Sequence, residues 1–228
     1  MKKEIYQLKN LKKRLGVLLI ALCLSVLSVC EVSAQVKFPS NGFAMDSVYK
    51  STVYINAYRS NYGRYADYAQ IGLFDRSGKM LKYDVCGSSA MLTGLKNNKL
   101  YYYKGRGVTY DSRSRYYVPT TGWSSKKAFC TAKYANGLVS KKSRNVYFKF
   151  PKVSGVKGYK LYISTKKTSG YKKVATVKPG KKIVLKKFRG KQFQYYKNYY
   201  YYVTPILSDG TKCDSLIGAY FWITRSYR

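Results

Sequence analysis

Residues 197–210 read KNYYYYVTPILSDG, and this stretch decides the fold class. Four tyrosines lead into valine, threonine and isoleucine, and aromatic and β-branched side chains favour strands. Ser-Asp-Gly then ends the run as a tight turn would. Because successive side chains of a strand point to opposite faces, one half of such a run can face a core while the other half forms a surface.

Short runs of the same kind recur along the chain. Each alternates apolar and polar residues, is bounded by turn residues and is typical of a half-buried strand. The runs are VYINA (53–57), QIGLF (70–74), VYFKF (146–150), YKLYI (159–163) and KKVATV (172–177). Beyond the N-terminal segment, no window shows the three- and four-residue apolar spacing of an amphipathic helix. The pattern predicts an all-β protein.

The second half of the chain repeats the first. LYYYKGRGV (100–108) aligns with NYYYYVTPI (198–206) at an offset of 98, and AQIGLFD (69–75) aligns with YKLYIST (159–165) at an offset of 90. TGWSSKKAF (121–129) aligns with IGAYFWITR (217–225) at an offset of 96. The order of elements is constant while loop lengths differ. We predict domains at 35–134 and 135–228, with the strand pattern broken by AKYANG at 132–137.

Residues 146–180, VYFKFPKVSGVKGYKLYISTKKTSGYKKVATVKPG, closely resemble the fibronectin type III modules of exported bacterial proteins. The first half resembles them through ADYAQIGLFDRSGKMLK (66–82), LTGLKNNKLYYYKGRGV (92–108) and GWSSKKAF (122–129). The resemblance implies two tandem, seven-stranded, immunoglobulin-like β-sandwiches. It also implies that Ala57 and Phe150 occupy the place where these modules carry an inward tryptophan.

The resemblance further implies which side chains face inward. In strand F of the module the first tyrosine forms a tyrosine corner, in which its hydroxyl bonds to backbone upstream. The inward residues are then Tyr199, Tyr201 and Val203, with Tyr101 and Tyr103 in the first copy. The outward residues are Tyr200, Tyr202 and Thr204, with Tyr102, Lys104 and Arg106 in the first copy.

The N-terminal segment is typical of a secretory signal peptide. A basic region (1–14) precedes sixteen uncharged, mostly apolar residues (15–30), and Val-Ser-Ala at 32–34 provides small residues for cleavage before Gln35. We predict removal of residues 1–34 and no transmembrane anchor in the mature chain. The alternative is a lipid anchor on Cys30. Either places the protein outside the cytoplasm, as secreted or as associated with the cell surface or cell wall.

The residue types that are missing restrict the chemistry. The chain has no histidine, and all seven acidic residues after position 34 are aspartates. Histidine-dependent triads and zinc hydrolase sites are therefore excluded, and carboxylate-pair chemistry would need two of those aspartates. Asp75 lies in DRSG and Asp209 in SDG, both typical of turns. We predict a protein that is not an enzyme and has no cofactor and no metal site.

Three cysteines follow the predicted leader, Cys86, Cys130 and Cys213. Their odd number and the lack of a CxxC spacing argue against a disulfide framework and against a zinc site. A chain of this length can bury a core without disulfides. We expect all three to be small apolar core residues, with one disulfide as the alternative.

The charge and the tyrosines indicate a candidate binding surface. Residues 35–134 carry sixteen basic and five acidic residues, net +11, whereas residues 135–228 carry 22 and two, net +20. The outward side of the second copy would combine Lys160 and Tyr162 with Tyr200 and Tyr202. Lysine pairs add Lys181, Lys182, Lys186 and Lys187. Tyrosines can stack on sugar rings or bases, and lysines attract phosphate or carboxylate.

These features predict an exported, non-catalytic binding or adhesion module that associates with an anionic cell-wall polymer or an extracellular glycan. Non-specific nucleic acid binding and contact with other surface proteins are further options. The alternative is a structural spacer or matrix protein without a specific ligand. In that case tyrosine alternation is ordinary strand composition, and the charge only keeps the protein soluble and close to an acidic surface.

Overall fold

The computed structural model describes residues 36–49, 51–138 and 143–224. The predicted signal peptide and Cys30 lie outside these residues. In this part of the chain, the regular structure consists of strands apart from one helical turn, α1 (Arg59–Tyr62), which confirms the predicted all-β class. Within the described residues, no helix has the length and apolar composition needed to cross a bilayer.

The described residues of the first half form eight strands: β1 (Phe43–Tyr49), β2 (Thr52–Ala57), β3 (Tyr68–Phe74), β4 (Met80–Cys86), β5 (Ser89–Leu92), β6 (Leu100–Asp111), β7 (Tyr116–Pro119) and β8 (Lys127–Cys130). One sheet has the order β1-β2-β5. The other has the order β4-β3-β6-β7, and β8 pairs with the beginning of the long strand β6. The side chains between the sheets form a core around Phe43, Ile55, Ile71, Tyr103 and Phe129.

Nine strands lie in the described residues of the second half: β9 (Ala135–Leu138), β10 (Val146–Lys149), β11 (Val156–Ser164), β12 (Lys172–Val177), β13 (Lys182–Leu185), β14 (Lys187–Phe188), β15 (Lys191–Gln192), β16 (Tyr199–Leu207) and β17 (Leu216–Phe221). Their sheets have the orders β13-β10-β9 and β12-β11-β16-β17, with β14 and β15 as a separate hairpin. Phe148, Leu161, Ile163 and Tyr201 are among the residues of the core between them.

Both halves therefore pack a three-stranded sheet against a larger one, which has five strands in the first half and four in the second. This is the arrangement of an immunoglobulin-like sandwich of the fibronectin type III kind, as predicted. Besides strands that match this arrangement, the described residues include β7 in the first half and the β14–β15 hairpin in the second. The domain boundary between residues 134 and 135 stays a prediction.

Strand register confirms two of the three sequence offsets and corrects the third. Leu73 pairs with Tyr103 and Ile163 pairs with Tyr201, which agrees with offsets of 90 and 98. In the last strands, Phe129 pairs with Tyr101 in the first half and Phe221 pairs with Tyr199 in the second. Phe129 and Phe221 are therefore equivalent, and these strands align at an offset of 92 and not 96. In the part of the chain that the structure describes, only the first half has the β6–β7 hairpin, so the connection that leads to its last strand is longer. This extra length gave the sequence alignment the wrong offset for the last strands.

Both halves contain a tyrosine corner. The hydroxyl of Tyr199 accepts a hydrogen bond from the backbone N–H of Gln194 at 3.1 Å, and the hydroxyl of Tyr101 accepts one from Lys96 at 2.9 Å. Both rings are buried, and each packs on the phenylalanine opposite it. Along β16 buried and half-buried residues alternate from Tyr199 to Leu207, so the predicted inward and outward faces of this strand are confirmed.

One predicted outward residue is wrong. Tyr102 is only 4% exposed, because the loop between β16 and β17 covers it. Its hydroxyl donates to the carboxylate of Asp209 at 3.0 Å, and the ammonium of Lys126 lies 4.9 Å from its ring centre. Lys104 and Arg106 are half-buried, since their cationic groups lie over Phe74 and Trp123, respectively.

The same loop joins the two halves. Cys213 forms a parallel bridge with Ala128 of β8, and the N–H of Asp214 donates to the Ala128 carbonyl at 2.7 Å. The Asp214 carboxylate accepts a hydrogen bond from Tyr103, while Asp209 forms an ion pair with Lys126 at 2.8 Å.

Between β8 and β9 only residues 131–134 lie outside strands. Thr131 and Ala132 are buried there, and the ring of Tyr134 packs on Phe150 and Tyr159. The expected break at 132–137 is therefore shorter than AKYANG, because β9 already begins at Ala135.

The three cysteines are buried and free, in agreement with the expectation of apolar core residues. Burial raises the pKa of the Cys86 and Cys130 thiols to about 12, so both are neutral at physiological pH. A neutral, enclosed thiol is a poor nucleophile, which leaves these residues a packing role. Ala57 and Phe150, at the position of the missing tryptophan, are buried as well.

The tyrosine corner yields a stability prediction. Tyr199→Phe removes the acceptor for the Gln194 N–H and should lower the free energy of unfolding by about 1 kcal/mol. Tyr200→Phe is the matched control one position along the strand, and we expect it to cost much less because its ring is half exposed. Urea unfolding of both variants measures the difference, and equal losses would show that the two faces are misassigned.

The Asp209–Lys126 pair yields a pH prediction. The hydrogen bond from Lys126 is the main cause that lowers the pKa of Asp209 below its usual value. A lowered carboxyl pKa stabilises the folded state above the unfolded pKa of about 3.9, and this contribution is lost as pH falls further. Lys126→Gln should therefore cost up to about 1 kcal/mol at pH 7, because the pair is partly exposed, and progressively less below about pH 4.

Lys96→Gln is the control for this experiment, because it removes one exposed ammonium outside the pair. Unfolding free energies of the three proteins are compared at neutral and acidic pH. A Lys126→Gln penalty that stays constant down to pH 3 would contradict the assigned role of the pair.

Candidate functional site

Two central strands of the second half position the predicted tyrosine surface. In β11 and β16 the inward residues are held in the core, so the alternate residues must lie on the outer face of the sheet. Tyr162 lies directly opposite Tyr202, and Lys160 lies opposite Thr204. Together with Tyr200, all of these residues are half-buried. The structure thus brings Lys160, Tyr162, Tyr200 and Tyr202 together on one face.

The rings of this face contact one another. Tyr162 and Tyr202 are stacked with centroids 4.6 Å apart and planes 16° apart, close to the spacing of neighbouring strands. Tyr171, from the loop before β12, packs on Tyr202 at 4.8 Å. Burial and these neighbours raise the pKa of Tyr202, so its hydroxyl stays protonated. Since one face of Tyr202 is covered by Tyr162, this residue offers a ligand less ring surface than its sequence position implied.

Strand β17 supplies aromatic residues that the sequence reasoning missed. Tyr220 lies opposite Tyr200, with ring centres 6.1 Å apart, and Tyr220 and Trp222 are stacked at 5.4 Å. They are 52% and 51% exposed, whereas Phe221 between them is buried. The alternation in AYFWI (219–223) indicates that Tyr220 and Trp222 share one face. The sequence alignment at an offset of 96, however, matched this strand to the wrong residues of the first half. With the offset of 92, Phe221 corresponds to the buried Phe129.

A cleft of about 1270 Å³ lies on this face. Its base contains Tyr200, Tyr202 and Thr204, and one wall is the loop of residues 210–215 that joins the two halves. Its cationic residues include Lys160, Lys167 and Lys212. Met45 of the first half also lines it, so the cleft lies where the halves meet and draws residues from both.

Two hydroxyls provide polar groups at the cleft. Thr204 Oγ1 and Ser215 Oγ lie 2.6 Å apart, so one donates to the other while the second keeps a free hydrogen. Asp214 also lines the cleft, where its carboxylate accepts the hydrogen bond from Tyr103. The cleft thus combines aromatic rings, ammonium groups and hydroxyls, a set suited to binding and orienting a ligand.

The predicted lysine cluster lies elsewhere. Lys182 belongs to β13, in the three-stranded sheet, and its ammonium lies 4.2 Å from the ring centre of Tyr147. Lys181 and Lys186 flank this strand, Lys187 begins β14, and all four lysines are exposed. The two sheets share one core, so their outer sides face in opposite directions. The structure does not bring these lysines to the tyrosine cleft.

The second half has few acidic groups to compensate its charge. Both of its aspartates contact the first half: Asp209 binds Lys126 and Tyr102, besides Thr211 of its own loop, and Asp214 accepts from Tyr103. Among the described residues, the only ion pair joins Lys126 to Asp209. The same part of the chain contains no group of three or more Cys, Asp or Glu side chains that could hold a metal ion.

No protein-family model and no curated protein matches the chain. Among solved structures, a two-domain fibronectin type III segment of chicken tenascin is 14% identical over 79% of this chain and 97% of that one, with a TM-score of 0.33. The FN1–FN3 domains of chicken CNTN1 are 10% identical over 84% and 68%, with a TM-score of 0.30. A cytokine receptor complex is 9% identical over 81% and 97%, with a TM-score of 0.34.

Proposed function

We propose that this protein is a non-catalytic binding module that associates with polyanionic polymers, chiefly through its second half. The observation that carries the proposal is the position of the two aspartates in residues 135–228, whose carboxylates contact the first half. Asp209 and Asp214 are directed to the first half, and among the described residues neither forms an ion pair with a lysine of the second half. Those lysines retain their attraction for an external anion.

The distribution of charge favours an extended polymer over a small anion. Lys160 and Lys167 lie at the cleft, whereas Lys181, Lys182, Lys186 and Lys187 are placed on or beside the opposite sheet. A compact ligand cannot contact both sides of a sandwich. A long polyanion can follow such a surface, and its binding is strengthened by release of counterions as each charge is neutralised.

The site of action follows from the predicted signal peptide. If residues 1–34 direct export, the polyanions available are anionic cell-wall polymers and extracellular glycans. Nucleic acid released outside the cell would bind by charge alone. We propose a secreted or wall-associated protein, with a lipid anchor on Cys30 as the alternative.

A spacer role is the second candidate, and the junction between the halves favours it. The Ala128–Cys213 bridge, the Asp209–Lys126 pair and the buried segment 131–134 hold the two sandwiches against each other. A fixed junction would keep surface groups at a set distance. A pure spacer, however, has no need for a cleft lined with aromatic residues.

The test is salt-dependent binding to a short duplex DNA used as a probe of charge. Changing Lys181, Lys182, Lys186 and Lys187 to Gln should weaken binding and flatten the log-log salt dependence, by up to about 0.9 for each lysine that neutralises a phosphate. Changing Lys79, Lys96, Lys99 and Lys133 to Gln removes four ammonium groups from the first half and is the matched control. We expect the control to lose less affinity and less slope.

Equal losses in the two variants would contradict a site in the second half. Absence of binding to any polyanion at physiological salt would contradict the proposed function and favour the spacer. Circular dichroism of both variants checks that the exposed substitutions leave the fold intact.

A further inference from the structure

We propose that the cleft beside β16 binds an acidic oligosaccharide, with a sugar ring packed against Tyr200 and Tyr220. This inference rests on the proposed function and specifies the ligand of one site within it. The charge of the second half attracts any polyanion, whereas the cleft selects a polymer that has ring faces and hydroxyl groups. A polyol phosphate has no ring to pack and would gain only from the charge.

The available ring surface defines where the sugar lies. Tyr162 and Tyr202 cover each other, and Tyr171 packs on Tyr202, so these three rings mainly support one another. Tyr200 and Tyr220 contact each other only at 6.1 Å with planes inclined by 43°, and Tyr220 is half exposed. Trp222 covers one face of Tyr220, and the remaining ring surface of Tyr200 and Tyr220 lines the cleft, where the C–H face of a sugar can pack.

The charged and polar groups of the cleft match an acidic sugar. Lys160, Lys167 and Lys212 supply ammonium groups, each a compact charge with three donors that suits a carboxylate or a sulfate. Thr204 and Ser215 share one hydrogen bond and keep a donor and lone pairs for sugar hydroxyls. Asp214 can accept from a sugar hydroxyl, but it would repel a phosphate placed beside it.

The cleft is large enough for more than one sugar. At about 1270 Å³ it exceeds the roughly 300–1,000 Å³ of a typical small-molecule pocket. It also lies open on the sheet face, and a polymer can therefore enter and leave it. These dimensions favour a segment of a longer chain over a single monosaccharide.

A single-stranded nucleic acid fits the same arrangement less well. Stacking of successive bases needs ring faces that are free to receive them. Here Tyr162 and Tyr202 cover each other, and the planes of Tyr200 and Tyr220 are inclined by 43°, so the rings do not form parallel platforms for successive bases. Among the described residues, those lining the cleft include no arginine, the residue that combines charge with stacking on bases.

The chain provides a reporter for this site. Its two tryptophans are Trp123, which packs on Phe74 in the first half, and Trp222, which is stacked on Tyr220. Trp123→Phe therefore leaves Trp222 as the single tryptophan, next to the proposed sugar position. Ligand bound against Tyr220 should change the emission of Trp222, whereas ligand held elsewhere by charge should not.

The experiment compares oligogalacturonate, inorganic polyphosphate and oligo(dT) of equal charge number at physiological salt in the Trp123→Phe protein. We expect oligogalacturonate to bind on the order of tenfold more tightly than polyphosphate and to change Trp222 emission. Tyr220→Ser should remove most of that preference and leave polyphosphate binding unchanged. Tyr116→Ser, at a side chain that is 74% exposed on β7, is the control and should change neither.

Each result decides between distinct conclusions. Equal affinity for oligogalacturonate and polyphosphate, with Trp222 emission unchanged, would overturn the oligosaccharide site and leave the proposed polyanion binding intact. Tightest binding by oligo(dT), lost in Tyr220→Ser, would replace the sugar with single-stranded nucleic acid. Failure of all three ligands to bind would overturn the proposed function itself.

Discussion

The contact of the β16–β17 loop with the first half is the constraint on which the rest of the structure depends. Asp209 and Asp214 are the only carboxylates of the second half, and both hold this loop against Lys126, Tyr102 and Tyr103. The same loop forms a wall of the cleft. One set of contacts therefore joins the sandwiches, shapes the candidate site and removes the carboxylates that could have neutralised the lysines.

Strand β16 links the core to the candidate site. Tyr199 and Tyr201 fill the core and fix the strand, and the tyrosine corner closes one buried hydrogen bond. Because side chains alternate, Tyr200 and Tyr202 then lie on the outer face, where Tyr202 also packs against Tyr162. The corresponding strand of the first half shows the other outcome. There the loop of the second half contacts Tyr102, which is buried and offers no surface.

Charge and selectivity reside on different sides of the second sandwich. The lysines around β13 lie on the three-stranded sheet, whereas the aromatic cleft lies on the four-stranded one. Attraction of a polyanion and recognition of its units can therefore be altered independently. This separation is why lysine and tyrosine variants are expected to have different effects on binding.

The sequence by itself determined the all-β class, the duplication and the two faces of β16, because period-two alternation and the repeated tyrosine run depend only on local geometry. It also placed Lys160, Tyr162, Tyr200 and Tyr202 on one surface. Only the tertiary structure decided that Tyr102 is buried, that Tyr202 is covered by Tyr162 and that Tyr220 and Trp222 complete the site. These outcomes depend on contacts between residues distant in sequence. The register of β17 could not be predicted because the connections before the last strands differ in length. An alternation pattern also does not indicate which outer face is covered by another sandwich.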